Sequence, residues 1–338
     1  MTKNNKQVKE INEAISQLLA AIEDDDLRGN LEGKAVKLHQ LGILKANQGR
    51  FDDAIAFYSQ CQEVYQTLDD WEGVATILYQ IAVIKTNQGE ISQAVPLFEE
   101  ALKIAESIDD LATQGESLYS LGMIKASQGL VTDAIALCEK SLELKDKLAD
   151  VEGKSKIIQQ LAIIKANQGE LLPAVQLLKQ SLSLKETCND LSGKANILHY
   201  LGVIYAELGD GEAAILSYQE SLKIKEKIGD IQGKAATLHQ LGDLYQKLDR
   251  IEEAIELYQE SAQIKEQGND SESKAATMGM LGQLLVKKGD FKLALTYLHE
   301  ALEIFEKLQS PNTTTVKQII SEARHLQQAE TKQKRKWL

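Results

Sequence analysis

The stretch at 41–49, LGILKANQG, decides the fold, because close variants of it return every forty residues. The next copies are IAVIKTNQG (81–89), LGMIKASQG (121–129) and LAIIKANQG (161–169). Other positions keep this spacing through seven copies, the clearest being an alanine at Ala54, Ala94, Ala134, Ala174, Ala214, Ala254 and Ala294. A fixed period of this length indicates an array of short structural repeats rather than one large core.

Each repeat reads as an aspartate cap, a helix, a glycine turn and a second helix. In the first copy the helices are predicted over about 32–48 and 51–67. The turn glycine recurs in every copy except one, where Asp249 replaces it, and Asp tolerates the left-handed conformation that such a turn needs. An aspartate precedes each later repeat, where its carboxylate can cap a helix N-terminus, at Asp70, Asp110, Asp150, Asp190, Asp230 and Asp270.

The apolar positions predict how the two helices of a hairpin pack. In the first helix Leu38, Leu41 and Gly42 share one face, and in the second helix Ala54 and Tyr58 share another. Small residues on both faces would let the helix axes approach closely. One hairpin alone leaves apolar surface in water, so neighbouring hairpins are expected to stack and cover it.

The order of these residues resembles the tetratricopeptide repeat. Residues 198–224, LHYLGVIYAELGDGEAAILSYQESLKI, come close to that family's pattern, and the resemblance covers about 31–308. The period is longer than the family's usual ~34 residues, and Leu or Ile replaces the aromatic residue near the start of the first helix. The longer form is similar to kinesin light chains and bacterial arrays. The resemblance implies an all-α fold, a right-handed superhelical α-solenoid, and a tolerated kink at Pro96.

The ends of the chain are expected to close the array. We predict three parts: a capping helix within 1–30, seven hairpins over 31–310, and a capping helix with a basic tail over 311–338. Ala14 and Ala21 are in register with Ala54 and Cys61, so 11–22 is predicted as a lone second helix. At the other end Ser310-Pro311 begins a helix whose apolar stripe is Val316, Ile319, Ile320, Ala323 and Leu326. The tail TKQKRKWL is predicted to be frayed, with a basic docking peptide as the alternative.

Composition narrows the class of protein. The net charge of −12 disfavours binding to nucleic acid or to an anionic membrane, because both require a dense positive field. Cys61, Cys138 and Cys188 are scattered, which argues against a disulfide framework and suits a reducing compartment. No stretch has the length or the apolar character of a membrane span or a signal peptide. We therefore expect a cytoplasmic protein.

The sequence gives no sign of catalysis. It contains no phosphate-binding loop, dinucleotide fingerprint, zinc-protease motif or nucleophile elbow, so neither an enzyme nor a cofactor is predicted. His39, His199 and His239 share one register, but imidazoles a helix diameter apart make a poor metal site. These histidines are instead expected to line a binding surface.

The family resemblance implies that the first helices line a concave face that holds a peptide or a partner helix. Columns of amides, aromatic residues and histidines recur on that face, and amides can donate to and accept from a peptide backbone. Repeat duplication alone could also produce such columns. The predicted partner-binding residues are His39, Gln40, Asn47, Tyr79, Gln80, Asn87, Tyr119, Gln160, Asn167, His199, Tyr200, His239 and Gln240.

One column of charge runs through the first four repeats, at Lys45, Lys85, Lys125 and Lys165. Four unpaired buried ammonium groups would each cost several kcal/mol, and no acidic column follows them along the helices. We expect the stems to pack on apolar surface with the charged heads in water. The alternative is a positive stripe that binds an acidic partner.

These observations predict a non-catalytic scaffold that binds a peptide or a partner protein in its concave groove. The alternative function is a sensor or regulator whose superhelix changes when a peptide or small molecule binds.

Overall fold

A computed structural model describes residues 2–268 and 270–336 of the protein, and side chains over 11–268 and 270–332. Every regular element in the described residues is an α-helix. Consecutive helices pack as pairs, which confirms the all-α solenoid. In chain order the helices are α1 (Thr2–Arg28), α2 (Leu31–Asn47), α3 (Phe51–Thr67), α4 (Trp71–Asn87), α5 (Ile91–Ser107), α6 (Leu111–Ser127), α7 (Val131–Lys147), α8 (Val151–Asn167), α9 (Leu171–Thr187), α10 (Leu191–Glu207), α11 (Gly211–Ile228), α12 (Ile231–Lys247), α13 (Ile251–Gln267), α14 (Ser271–Lys288), α15 (Phe291–Lys307) and α16 (Asn312–Lys336).

The six predicted aspartate caps are all formed. Asp70 accepts a hydrogen bond from the backbone N–H of Gly73 at 2.9 Å, and Asp110 accepts from two successive backbone N–H groups. The other four caps follow the same pattern, at Asp150, Asp190, Asp230 and Asp270. Each carboxylate satisfies donors that have no partner within the helix, so the six junctions begin their helices in the same way.

The turns inside the hairpins and the turns between them differ in residue type. Inside the hairpins the left-handed residue is the recurring glycine, and Asp249 takes its place with φ of 58°, as the sequence predicts. Between hairpins the left-handed residue is usually not glycine, and Ala149 adopts φ of 52°. No repeated signal marks this second group, which also includes Asp69, Asp109, Asn189 and Gln309.

In several hairpins the recurring glycine of the first helix makes room for a large side chain, although Gly122 faces the smaller Cys138. A Cβ atom on Gly42 would lie 2.2 Å from Cε1 of Tyr58, and one on Gly202 would lie 2.6 Å from the Tyr218 ring. The expectation that small residues face each other was therefore incomplete. In these two hairpins, glycine on the first helix leaves the space that an aromatic ring of the second helix fills.

The chain divides into two compact units, residues 1–164 and residues 165–338, with the division inside α8. In unit 1 the cores include Leu38, Tyr58 and Phe98, all almost fully buried. In unit 2 one core includes Tyr258 and Leu298 and reaches the C-terminal helix through Ile320. The three-part domain division made from the sequence remains a prediction.

The terminal helices depart from the predictions in detail. Among the described side chains of α1, the buried apolar residues are Ile15 and Ile22, each one position after the predicted Ala14 and Ala21, which are half-buried. α16 buries most of the predicted stripe, but Leu326 is exposed. The tail predicted to be frayed is helical as far as Lys336, and residues 337–338 lie outside the described residues. α5 continues through Pro96 without interruption.

Candidate functional site

Three of the predicted partner-binding residues meet in one cavity of unit 1. Tyr79 and Asn87 of α4 and Tyr119 of α6 line a cavity of about 350 Å³. The first helices also supply Val83 and Met123 to its wall. The first helices of the hairpins are α2, α4, α6, α8, α10, α12 and α14. We call the surface formed by the predicted partner-binding positions on these helices, within one unit, the first-helix face.

The cavity has an aromatic wall, an apolar floor and a polar rim. Phe98 lies beneath Tyr79, with 5.5 Å between the ring centroids. Lys156 of α8 places its ammonium 4.7 Å from the centroid of the Tyr119 ring, within cation–π distance. Burial raises the pKa of Tyr119 to about 12, so its hydroxyl stays protonated and able to donate. An apolar side chain fits such a floor, and a peptide backbone can bond to the rim.

The polar rim consists of short side chains that can both donate and accept. Asn87 and Ser127 are exposed, and Thr86 and Ser120 are half-buried. Tyr79 donates a long hydrogen bond of 3.4 Å to Glu116 Oε2. The predicted Gln80 and Gln160 are half-buried on the same columns, but they do not line this cavity.

The first repeat contributes no part of this cavity. Gln40 and Asn47 are exposed, and His39 is half-buried beside Tyr58, with ring centroids 5.8 Å apart. Burial lowers the pKa of His39, so the imidazole is neutral near pH 7. Within the described part of the chain, His39 Nε2 is buried without a hydrogen-bond partner.

In unit 2 the two predicted histidines belong to hydrogen-bond networks that the sequence analysis missed. His199 Nδ1 lies 3.0 Å from Thr237 Oγ1, and the same oxygen accepts from Lys225 Nζ at 3.0 Å. Thr237 gives its own proton to the carbonyl oxygen of Gly233 at 2.9 Å. Since that proton is used, His199 Nδ1 must carry the hydrogen of its bond. The neutral ring therefore presents Nε2 as an acceptor.

The next repeat copies this network. His239 Nδ1 lies 3.2 Å from Thr277 Oγ1, which accepts from Lys265 Nζ at 2.7 Å and donates to Ser273. Burial lowers the pKa of both histidines, that of His199 to about 4. For His239 the nearby Asp243 opposes the effect of burial, while Lys265 adds to it.

The remaining predicted residues of the later repeats lie at the surface without such networks. Tyr200 is 37% exposed and its ring lies 5.7 Å from that of His199. Asn167 is exposed, and Gln240 is half-buried. The structure therefore places the predicted residues on the first-helix faces, but it gathers only Tyr79, Asn87 and Tyr119 around the cavity of unit 1.

Most of the predicted lysine column is ion-paired, contrary to the expectation of heads in water without acidic partners. Lys85 lies 2.9 Å from Glu90 and Lys165 lies 3.0 Å from Glu170, each at the start of the following helix. Lys45 is nearly buried and its ammonium is 3.9 Å from Asp53. The three acidic partners lie just after the turn that follows the lysine's helix, whereas the prediction considered only acidic residues along the helices.

Lys125 differs from the rest of the column because Leu130 stands where Glu90 and Glu170 stand in the neighbouring repeats. Within the described residues Lys125 has no carboxylate at ion-pair distance. In this column, Lys125 is therefore the lysine whose charge is available to an anionic group of a partner.

A second lysine column lies in the second helices, and it is more deeply buried than the first. Its members share the forty-residue spacing, at Lys145, Lys185, Lys225 and Lys265. The first two pair with the next cap, Lys145 with Asp150 at 2.9 Å and Lys185 with Asp190 at 2.8 Å. The recurrence of these lysines is present in the sequence, but their burial is not apparent from it, because lysine side chains are usually exposed.

Within the described residues no cluster of three or more potential metal ligands is found. No described helix is both long enough and apolar enough to cross a bilayer.

Comparison with known proteins supports the class that this architecture defines. A tetratricopeptide-repeat sequence profile matches residues 34–107 and 233–307, and a second profile of the same repeat matches residues 195–228. The chain belongs to the tetratricopeptide-repeat family. No curated protein matches it.

Several solved structures share the fold at low sequence identity. A signal-transduction ATPase (STAND protein) with a tetratricopeptide repeat sensor, from Pyrococcus horikoshii, has a TM-score of 0.71 at 17% identity, covering 86% of this chain and 44% of that one. BtubC (BKLC) from P. vanneervenii gives 0.57 at 17% identity, covering 68% and 93%. The Rap conjugation gene regulator of plasmid pLS20, solved with the Phr* peptide, gives 0.54 at 18% identity, covering 83% and 76%.

Proposed function

We propose that the chain is a non-catalytic interaction protein whose first-helix face in unit 1 binds a peptide segment of a partner protein. The observation that carries this proposal is the cavity of about 350 Å³ lined by Tyr79, Tyr119 and Met123. Aromatic and methionine side chains supply contact area that adapts to an apolar anchor, and the rim amide of Asn87 bonds a backbone.

The peptide is expected to carry one large apolar side chain that enters the cavity. Two cationic groups would favour an acidic neighbour to that side chain. Lys156 lies over the Tyr119 ring at the cavity wall, and Lys125 has an uncompensated charge on the same helix as Tyr119. The acidic character of the partner is a finer proposal than peptide binding itself.

Selection from a random displayed peptide library, with the full chain as bait, tests the proposal. In the selected peptides we expect a recurrent apolar residue. Tyr119→Ala and Met123→Ala should each weaken the affinity at least about tenfold, because central aromatic and methionine contacts carry much of the binding free energy. Lys140→Ala, on the exposed surface of α7, is the matched control and should leave the affinity unchanged. Equal binding by all variants would show that the peptides bind elsewhere.

A second test addresses the acidic partner. Lys125→Gln should reduce the salt dependence of binding to the selected peptide, because it removes a charge that has no internal partner. Lys85→Gln is the control, since Glu90 already compensates Lys85. If neither variant alters the salt dependence, the partner is recognised through its apolar residue and backbone alone.

A regulator that responds to the bound peptide is the alternative function. Similar structures include a regulator solved with a peptide and a protein described as having a repeat sensor. A change in the radius of gyration on adding the selected peptide, measured by small-angle X-ray scattering, would favour the regulator. An unchanged radius would favour the scaffold.

A further inference from the structure

A second cavity lies in unit 2, where the C-terminal helix α16 packs against the last hairpin. Its volume is about 500 Å³. Met280 of α14 and Ile319 of α16 give it an apolar floor, and His239 of α12, Gln283 of α14 and Glu322 of α16 give it polar groups. This cavity was not anticipated from the sequence.

The cavity is open because one column changes residue type at the last repeat. The positions equivalent to Gly279 hold His39, Tyr79, Tyr119, Gln159, His199 and His239 in the earlier repeats. A Cβ atom on Gly279 would have only Val316 Cγ2 nearby, at 3.8 Å, which is ordinary contact. The glycine therefore leaves unfilled the space that a ring or an amide fills elsewhere.

His239 lines this cavity, and a second hydrogen-bond acceptor, Asp243, lies next to it one helical turn further along α12, although Asp243 does not itself line the cavity. His239 Nε2 lies 3.8 Å from Asp243 Oδ2. Because Thr277 uses its own proton on Ser273, His239 carries its hydrogen on Nδ1, and Nε2 can only accept. Tyr258 donates to Asp243 Oδ1, so Oδ2 is the carboxylate oxygen left over.

The carboxylates here lack a cationic partner. Within the described residues, no Lys or Arg forms an ion pair with Asp243 or Glu322. The buried lysine nearest to His239 in this network, Lys265, donates to Thr277. Burial lowers the pKa of Lys265, with Asp270 and Asp243 opposing that effect. Among the described residues, the polar lining includes the carboxylate of Glu322 and neutral amides and hydroxyls, but no lysine or arginine.

We propose that this cavity binds the side chain of an arginine from a peptide, with the aliphatic stem on Met280 and Ile319 and the guanidinium bonded to Glu322 and His239. Asp243, 3.8 Å from His239 Nε2, adds negative charge beside the guanidinium. A guanidinium has five N–H donors in a fixed plane and no acceptor, which is the complement of these acceptors. Its methylene stem covers apolar surface while its head bonds to polar groups. The proposal rests on the proposed function in one respect, namely that the ligand is a peptide.

The methionines provide a separate reporter for each cavity. The sequence has only four, Met1, Met123, Met278 and Met280, and Met123 lines the cavity of unit 1 while Met280 lines that of unit 2. Methyl NMR spectra of the full chain labelled at methionine can therefore follow both sites in one titration. Met280→Leu assigns the reporter signal.

The probe is the pentapeptide acetyl-Ala-Ala-Arg-Ala-Ala-amide, compared with peptides that carry norleucine or glutamate in place of arginine. We expect a saturable shift of the Met280 methyl signal with the arginine peptide, with Kd on the order of 1 mM for a single anchoring side chain. The glutamate and norleucine peptides should cause no saturable shift. An equal response to norleucine would overturn the proposal, because it would show a cavity selective only for apolar groups.

Variants test the two features separately. Gly279→Tyr restores the ring of the earlier repeats and should abolish the shift, whereas Gly279→Ala leaves space and should preserve it. Asp243→Asn supplies an N–H to His239 Nε2, keeps an acceptor for Tyr258, and should weaken binding about fivefold, as should Glu322→Gln. Glu256→Gln, an equal loss of charge on the exposed surface of α13, is the control. Unchanged binding by Asp243→Asn and Glu322→Gln would refute recognition of the guanidinium.

Failure of this proposal can be told apart from failure of the proposed function. If a peptide selected on the chain shifts Met123 but the arginine peptide does not shift Met280, unit 1 binds peptides and the arginine site is wrong. If the arginine peptide shifts Met280 and no selected peptide affects Met123, the arginine site is correct and the proposed peptide site in unit 1 is wrong.

Discussion

At the scale of single residues, the left-handed turns between hairpins are the most easily improved positions. Ala149 adopts φ of 52°, and Gly229 occupies the equivalent turn two repeats later with φ of 74°. A side chain with a Cβ atom is strained in this conformation by roughly 1–2 kcal/mol, whereas glycine is not. The turns between hairpins therefore share one backbone conformation, but the backbone strain is greater where the left-handed residue is not glycine.

Ala149→Gly should raise the free energy of unfolding by about 0.5–1 kcal/mol, because relief of strain outweighs the extra freedom of glycine in the unfolded chain. Urea denaturation followed by circular dichroism measures the change. Gly229→Ala is the reverse control and should lower the stability. A loss of stability in Ala149→Gly would mean that the turn holds alanine without strain.

The half-buried imidazole of His199 makes stability depend on pH. Its pKa in the folded chain is about 4, below the ordinary 6.5, because burial and the neighbouring Lys225 disfavour the charged ring. Above pH 6.5 the ring is neutral in both states and contributes no difference. Between pH 6.5 and 4 the unfolded chain binds a proton that the folded chain does not, so stability falls as the pH falls through this window.

His199→Gln should remove about 1–2 kcal/mol of the stability lost between pH 7 and pH 5. The equivalent residue one repeat earlier is Gln159, so an amide is compatible with the position. Denaturation curves at the two pH values provide the measurement. His325→Gln, which removes an exposed imidazole, controls for the substitution itself. A pH dependence equal to that of the unaltered chain would contradict the network.

At the scale of helix pairs, the contact between a glycine and an aromatic ring fixes the distance between helices. Gly42 of α2 faces Tyr58 of α3 in unit 1, and Gly282 of α14 faces Leu298 of α15 in unit 2. In both pairs the missing side chain of the glycine leaves the space that the larger residue on the other helix fills. The pair, rather than either residue, is the unit of packing.

Gly42→Ala should destabilise the chain by about 1–3 kcal/mol, because the new Cβ atom would lie 2.2 Å from the Tyr58 ring. The double variant Gly42→Ala/Tyr58→Leu, which has the residue types found at sequence positions 162 and 178, should recover part of that loss because leucine is smaller than the tyrosine ring. A double-mutant cycle by chemical denaturation gives the coupling energy. A coupling energy of zero would show that the two residues do not set the helix separation.

The sequence predicts those features of the helix pairs that depend on local backbone chemistry. In the first hairpin the helix bounds agree with the predicted 32–48 and 51–67 to about one residue, and every aspartate cap is formed, whereas α1 extends well beyond the predicted 11–22. Caps and turns involve residues close along the chain, so the repeated Asp and Gly suffice to locate them. The peptide-binding columns, by contrast, remain predictions about side chains.

Features that depend on side chains from different helices were not accessible in the same way. Lys265, Thr277 and His239 come from three helices, and the residue pattern of one helix cannot predict that they form hydrogen bonds with one another. The acceptor pair at Asp243 requires both that network and the hydroxyl of Tyr258. Recurrence at forty residues marked the buried lysines, but recurrence alone does not indicate burial.

At the scale of the whole molecule, the main contacts within each unit join hairpins that follow one another in the sequence, so damage is expected to stay local within a unit. α16 packs on α15 and α14, with Ile320 only 4% exposed in the core that it closes. In a repeat array, stability is approximately a sum of terms from neighbouring repeats. The consequences of losing the terminal helix should therefore fade with distance along the chain.

Ile320→Asp should cost about 3 kcal/mol or more, since it buries an unpaired charge against apolar residues. Hydrogen exchange should show lost protection in α16, α14 and α15, with α2 and α3 unchanged. Ser321→Asp, at the adjacent exposed position, is the control and should leave exchange unaltered. Loss of protection throughout the chain would show that it unfolds as one cooperative body.

The aspartate junctions also bear on how such a chain can grow or shrink. Asp70 and Asp110 have nearly the same backbone angles, φ −84° with ψ 83° and φ −75° with ψ 89°, and both cap the helix that follows. Removing residues 71–110 would join Asp70 to Leu111 and reproduce a junction of the same geometry. The cap therefore serves as a splice point, so that recombination can add or delete whole forty-residue modules without creating a new loop.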